Sequence, residues 1–154
     1  MDVYRILQEM NLELPPVPPK GGVYSPYRIF GERFVYVSGC AATVQGKPVV
    51  GRLQDVYSVE EGQQFAKMAM LNVLAIVEQA AGDLNRVVPV KILTFVSGPD
   101  GFGQQPQVAN GGSQLLSDLF GEGNVPARSA IGVNTLPGNT PVETEGLFEI
   151  VVPH

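Results

Sequence analysis

Histidine, cysteine and tryptophan are almost missing from this chain: one His, one Cys and no Trp in 154 residues. A single thiol, Cys40, excludes an internal disulfide. A single imidazole, His154 at the end of the chain, removes the usual general base and the ligand set of a zinc site. Any chemistry must rest on other side chains, and neither a metal nor a cofactor is expected. Charge is sparse as well, at 16% of residues with a formal net charge of −5. A field of that sign repels phosphate backbones, so nucleic acid is not an expected partner. No apolar run reaches the roughly 18–20 residues of a membrane span. The start, Met1-Asp2-Val3-Tyr4-Arg5, also lacks a basic segment followed by an apolar core. No membrane partner is expected, and a cytoplasmic location is the default.

What is present is a hydrophobic fraction of 44%, enough for one sizeable core. We therefore expect a single domain over 1–154, with residues 1–20 forming an N-terminal helix and a proline-rich lead-in. Val3, Ile6, Leu7 and Met10 fall at helical spacing over residues 3–12, and the run Pro15-Pro16-Val17-Pro18-Pro19 stops that helix. Tyr27-Arg28-Ile29-Phe30 and Phe34-Val35-Tyr36-Val37 flank Gly31-Glu32 as a β-hairpin, with Gly39 marking a bend. Residues 40–57 read as loop with at most one weak strand.

The strongest helix spans 58–81, opened by a capping box at Ser58 and Glu61 and stopped by Gly82. It is apolar nearly all round and must be covered on more than one side. Val87 to Val96 reads as a buried strand, Gln105 to Phe120 as a second long helix, and Ala127 to Thr135 and Val142 to Val152 as two closing strands. The order ββαβαββ is that of an α+β domain, a mixed or antiparallel sheet packed by two helices on one face. Apolar residues at outward positions of the strands make self-association the natural cover for the other face.

Few residues are suited to chemistry. Arg128 opens a strand poor in charge, and its planar guanidinium suits a two-pronged grip on a carboxylate, although a strand-start arginine in an ordinary ion pair has the same signature. Glu143, Glu145 and Glu149 alternate onto one face of the last strand. They are either solvated or, where that face meets a neighbour, able to place water or accept a proton. If the two closing strands pair as a hairpin about residues 136–141, Glu143 lies near Asn134, roughly 20 Å along the strand from Arg128. A ligand touching both must then lie between subunits. Cys40 has no histidine to activate it and reads as a buried structural thiol. The glycines at 98–103 and 111–112 lack phosphate-loop spacing and read as turn and helix-packing residues.

Taken as a set, Pro126-Ala127-Arg128-Ser129, Leu136-Pro137 and Val142-Glu143-Thr144-Glu145 resemble the C-terminal signature of the RidA/YjgF-like family, also labelled endoribonuclease L-PSP. Ser25-Pro26-Tyr27 and Val37-Ser38-Gly39 are similar to two further family motifs, and the likeness runs from about Tyr24 onward. The resemblance implies a chorismate-mutase-like fold, a homotrimer, and clefts between its subunits. It further implies that Arg128 binds a substrate carboxylate and that Glu143 places the water that attacks an enamine-derived imine. Tyr27, Ser38 and Gly39 match cleft-lining positions. Ala130 stands where the family often has cysteine, leaving a backbone N–H for a carboxylate oxygen. Either Asn110 or Ser113 matches a cleft asparagine. These departures, with the longer N-terminal helix, mark a divergent branch.

The function so implied is hydrolytic deamination of reactive enamines or imines to 2-oxo acids and ammonia, without a cofactor. Its partners are a small carboxylate imine or 2-oxo acid and further copies of the chain. A non-catalytic trimer that binds a small metabolite in the same cleft is the alternative. An endoribonuclease or translation inhibitor comes third, because the acidic balance and missing histidine pair oppose it.

Overall fold

Local capping sets the ends of the longest helix in the computed structural model, which describes residues 1–151. In α2 (Val59–Ala81) the Ser58 hydroxyl accepts from the Glu61 N–H and the Glu61 carboxylate accepts from the Ser58 N–H, both at 3.1 Å. Gly82 ends the helix at φ 78°, a left-handed conformation that costs glycine little. α1 (Val3–Glu9) stops short of the expected residue 12 because Met10 already caps it and Asn11 turns to φ 53°. α3 (Gln105–Phe120) has the expected bounds.

The strands are β1 (Tyr27–Phe30), β2 (Phe34–Ala41), β3 (Thr43–Val44), β4 (Lys47–Pro48), β5 (Val87–Ser97), β6 (Ala127–Val133) and β7 (Val142–Ile150). β2 runs past Gly39 to Ala41 because a register shift between Val37 and Cys40 absorbs the bend and lets pairing with β7 resume. β3 and β4 form a small separate hairpin in the segment read as mostly loop. Pro89 sits at a second register shift, between Pro89 and Lys91 of β5, where a missing N–H is tolerated. The expected end of the last strand, Val152, lies outside the described residues.

The main sheet has the order β1-β2-β7-β5-β6, with β5 and β6 parallel and the other neighbours antiparallel. This is the α+β class and mixed sheet expected from the sequence, but the two closing strands do not form a hairpin. β5 lies between them, pairing with β6 on one side and β7 on the other. The 136–141 connection therefore crosses a strand. The hairpin reading failed because Leu136-Pro137-Gly138-Asn139 looks like a reversing turn, whereas the long apolar β5 is the strand that gains most from neighbours on both sides.

α2 and α3 cover one face of this sheet. Val35, Val37, Ile92 and Phe148 meet Met70, Val73, Leu74 and Val77 of α2, and Leu115, Leu116 and Leu119 of α3 close the cluster. A second cluster packs Leu53 and Val108 against Phe65 and Ala66. The all-round apolarity of α2 is thus used by sheet, α3 and loop together. Among the described residues no helix covers the opposite sheet face, and Phe30, Tyr36 and Ile131 are exposed there or at its margin.

α2 and α3 approach so closely that a Cβ on Gly111 would overlap the backbone carbonyl of Gln63. Exposed glycine-to-alanine changes in helices gain about 1 kcal/mol. Here the overlap reverses the sign, and Gly111→Ala should cost about 2–3 kcal/mol, in the range of overpacked cores. A thermal melt lower by on the order of 5–10 °C is expected; an unchanged or higher melting temperature would contradict the packing.

Candidate functional site

Arg128 is the second residue of β6, the strand at the margin of the sheet. It pairs with Ile92, which is wholly buried under the helices, so its side chain points to the helical face. There α3 presents Asn110 and Ser113 three positions apart, on one side of the helix. Arg128 Nη1 donates to Asn110 Oδ1 at 2.7 Å and to Ser113 Oγ at 3.1 Å. Both candidates for the asparagine position therefore touch the guanidinium. No carboxylate of the described residues pairs with Arg128, so the ion-pair reading of this arginine does not hold. Two neutral acceptors orient it and leave its charge uncompensated, as a carboxylate receptor requires. Ala130, two residues along the same strand, shares its side.

Glu143 belongs to a second cluster. It alternates with the buried Val142 and Thr144, and it lies on the sheet face without helices. The Ser38 N–H donates to the Pro26 carbonyl at 2.9 Å and the Ser38 hydroxyl to the Ser25 carbonyl at 2.6 Å, fixing the bulge in β2. Gly39 follows. A Cβ there would lie 2.9 Å from Glu143 Oε1, so glycine makes the space in which the carboxylate rests. Ser38, Gly39 and Glu143 line a cavity of about 420 Å³ together with residues 15–20, Tyr24, Cys40 and Asn72.

Half-burial pushes the Glu143 carboxyl above its ordinary value, and the neighbouring Glu145 charge adds to the rise. Cys40 is buried, which with the Glu143 charge pushes its thiol up to about 12 and leaves it protonated. Tyr27 is separate from this cavity: it pairs with Val37 and packs against the main core, while Tyr24 and Pro26 take the lining positions. Among the described residues no group of three or more His, Cys, Asp or Glu is placed to hold a metal ion.

The two clusters do not meet within one chain. Arg128 is level with Ile92 and Gly146, whereas Glu143 is level with Phe95 and Ile131. Paired residues share a face and successive residues alternate, so Arg128 and Glu143 lie on opposite faces of the sheet. Their Cα atoms are two strand spacings and three residues apart, about 14 Å. That is closer than the hairpin reading gave, but the sheet itself stands between them. Sequence reasoning missed Tyr24, Asn72 and the proline run as cavity residues. Asn72 carried a signal, a buried polar residue among the apolar positions of α2.

The family model described as "YjgF/chorismate mutase-like, putative endoribonuclease" matches residues 5–143. Protein TCP17 of Trypanosoma cruzi is 35% identical over 147 residues, covering 94% of this chain and 91% of that protein. Two crystal structures share the fold closely. Atu1372 of Agrobacterium tumefaciens, of unknown function, has 34% identity and a TM-score of 0.88 over 96% of this chain and 92% of its own. A protein of Shewanella oneidensis described as a putative endoribonuclease has 29% identity and a TM-score of 0.91, over 98% of this chain and 100% of its own.

The raised Glu143 carboxyl gives a stability test. Its native value lies above its unfolded value, so the ionised form is penalised in the folded state. That penalty is absent below the ordinary glutamate pKa, where both states are protonated, and complete above the native value. Glu143→Gln should therefore raise the melting temperature at pH 8 and leave it nearly unchanged at pH 3.5. Equal shifts at the two pH values, or a loss at pH 8, would contradict the burial of that carboxylate.

Proposed function

This chain belongs to the YjgF/chorismate mutase-like family, and from that premise we propose that it hydrolyses reactive enamines or imines to 2-oxo acids and ammonia in a cleft between subunits of a homotrimer. The observation that carries the reading is the pair of half-sites. Arg128 is oriented by Asn110 and Ser113 and has no carboxylate partner among the described residues; Glu143 is half-buried beside Gly39 on the opposite face. Neither half suffices alone, and a second copy of the chain supplies what each lacks. The unpaired margin of β6 and the exposed Phe30, Tyr36 and Ile131 support association through these surfaces.

In this mechanism Arg128 of one protomer grips the substrate carboxylate with the guanidinium N–H groups that Asn110 and Ser113 leave free. The backbone at Ala130 lies beside it. An enamine first takes a proton at carbon to become the imine. Glu143 of the neighbouring protomer, with Ser38, Gly39 and Tyr24 lining the same cavity, holds a water against the imine carbon and takes its proton as the C–O bond forms. That proton passes to nitrogen to give the carbinolamine; Glu143 then takes the proton of the new hydroxyl and returns it to nitrogen as the C=O bond forms and the C–N bond breaks, so ammonia leaves with a 2-oxo acid. A raised glutamate pKa favours this exchange because it makes the carboxylate a better proton acceptor than an ordinary glutamate. The net charge of −5 weighs against RNA as the substrate.

Release of ammonia or 2-oxo acid from freshly generated 2-aminoacrylate and 2-aminocrotonate tests the proposal. Wild type should exceed the buffer rate, and Arg128→Ala and Glu143→Ala should each lower kcat/KM by on the order of a hundredfold. Wild-type rates in Arg128→Ala would remove the mechanism. Release equal to buffer in wild type would leave a metabolite-binding trimer as the function.

A further inference from the structure

Pairing of β1 with β2 stops at Tyr27 and Val37, so residues 38–41 of β2 have no β1 partner. The chain ahead of β1 bends back to line this gap. Residues 15–20, four of them proline, form one side of the cavity, and Cys40, Pro48 and Ile76 line it with them. Proline fixes φ near −65°, so this wall is preformed and loses little freedom when a ligand arrives. Leu12 and Leu14 pack against the main core just before it, and the Gly21 N–H donates to the Tyr24 hydroxyl at 2.9 Å just after it.

Lys20 and Glu143 are the charged residues that line the cavity, and its other polar groups are few and largely engaged. Ser38 gives its hydroxyl proton to the Ser25 carbonyl, and Asn72 Nδ2 donates to the Ala41 carbonyl and to Thr43 Oγ1, both at 3.0 Å. Glu143 remains for the reacting centre. The volume, about 420 Å³, is large for the smallest imino acids. At about 30 Å³ per water molecule, a three-carbon imine with its half-dozen heavy atoms would leave much of the space to water.

Resting on the reading of Glu143 as the water-placing residue, we propose that this cavity receives the side chain of the imino acid and selects branched or aromatic apolar side chains over the short ones derived from serine or threonine. The proline wall is the specificity element. Apolar carbons that enter the cavity displace water from Pro15, Pro18 and Ile76, and each buried carbon strengthens binding by roughly fourfold.

Calorimetry on the full-length protein with two 2-oxo acids, pyruvate and 4-methyl-2-oxopentanoate, reads the cavity without requiring turnover. The larger acid should bind at least tenfold more tightly, and Pro18→Gly should narrow that ratio. Equal affinities, tighter binding of pyruvate, or no binding of the larger acid would overturn the assignment. Should Pro18→Gly not fold, the wild-type ratio decides alone. Turnover of leucine- and alanine-derived imines, generated by an amino acid oxidase, is measured alongside. The expected ratio with neither imine hydrolysed above buffer sinks the deaminase reading and leaves the cavity assignment standing. Faster hydrolysis of the alanine-derived imine sinks the specificity assignment and leaves the reaction intact.

Discussion

β5 lies between the strand that carries Arg128 and the strand that carries Glu143, and its alternation sets where each can act. Ile92 and Phe95 are three residues apart, so the groups level with them point to opposite faces. Bringing the two groups to one face would require β7 to slip by one residue against β5, which would turn Val142, Thr144 and Phe148 out of the core. The burial of β5 and β7 thus fixes the separation of the two charged groups, and the separation makes a shared site a matter of assembly.

Each half-site is held by backbone and packing. Arg128 depends on α3 for its acceptors, and α3 depends on Gly111, whose missing side chain admits the Gln63 carbonyl. Glu143 depends on Gly39, where a Cβ would lie only 2.9 Å from the carboxylate, and on the Ser38 hydrogen bonds that shape the bulge. Orientation by neutral groups leaves Arg128 its full charge. Half-burial and a like charge raise the Glu143 carboxyl above its ordinary value. These two groups come from opposite ends of electrostatic behaviour, and the fold keeps each from quenching the other within one chain.

Much of this was legible in the sequence. The capping box at Ser58 and Glu61, the stop at Gly82 and the apolar spacing of α3 are local signals, and the structure has them where expected. Strand neighbours are a different matter. Leu136-Pro137-Gly138-Asn139 has the composition of a turn between paired strands, but composition does not say which strands pair. The choice is made by β5, whose buried length needs partners on both edges. Arg128, Asn110 and Ser113 were each named from the sequence, yet their hydrogen bonds arise from a helix crossing over a parallel strand, a long-range placement. The cavity wall was hidden for a similar reason: a proline run reads as a spacer, and only the early end of β1 reveals the gap that it covers.

Coexpression of Arg128→Ala with Glu143→Ala and assay of the mixed oligomers tests the central claim directly. If each site takes Arg128 from one protomer and Glu143 from its neighbour, random mixing in a closed ring regenerates intact sites. About a quarter of wild-type imine hydrolysis should then return, although neither variant alone is active. Mixed oligomers no more active than the separate variants would show that the two residues do not act across a subunit boundary and would contradict the account.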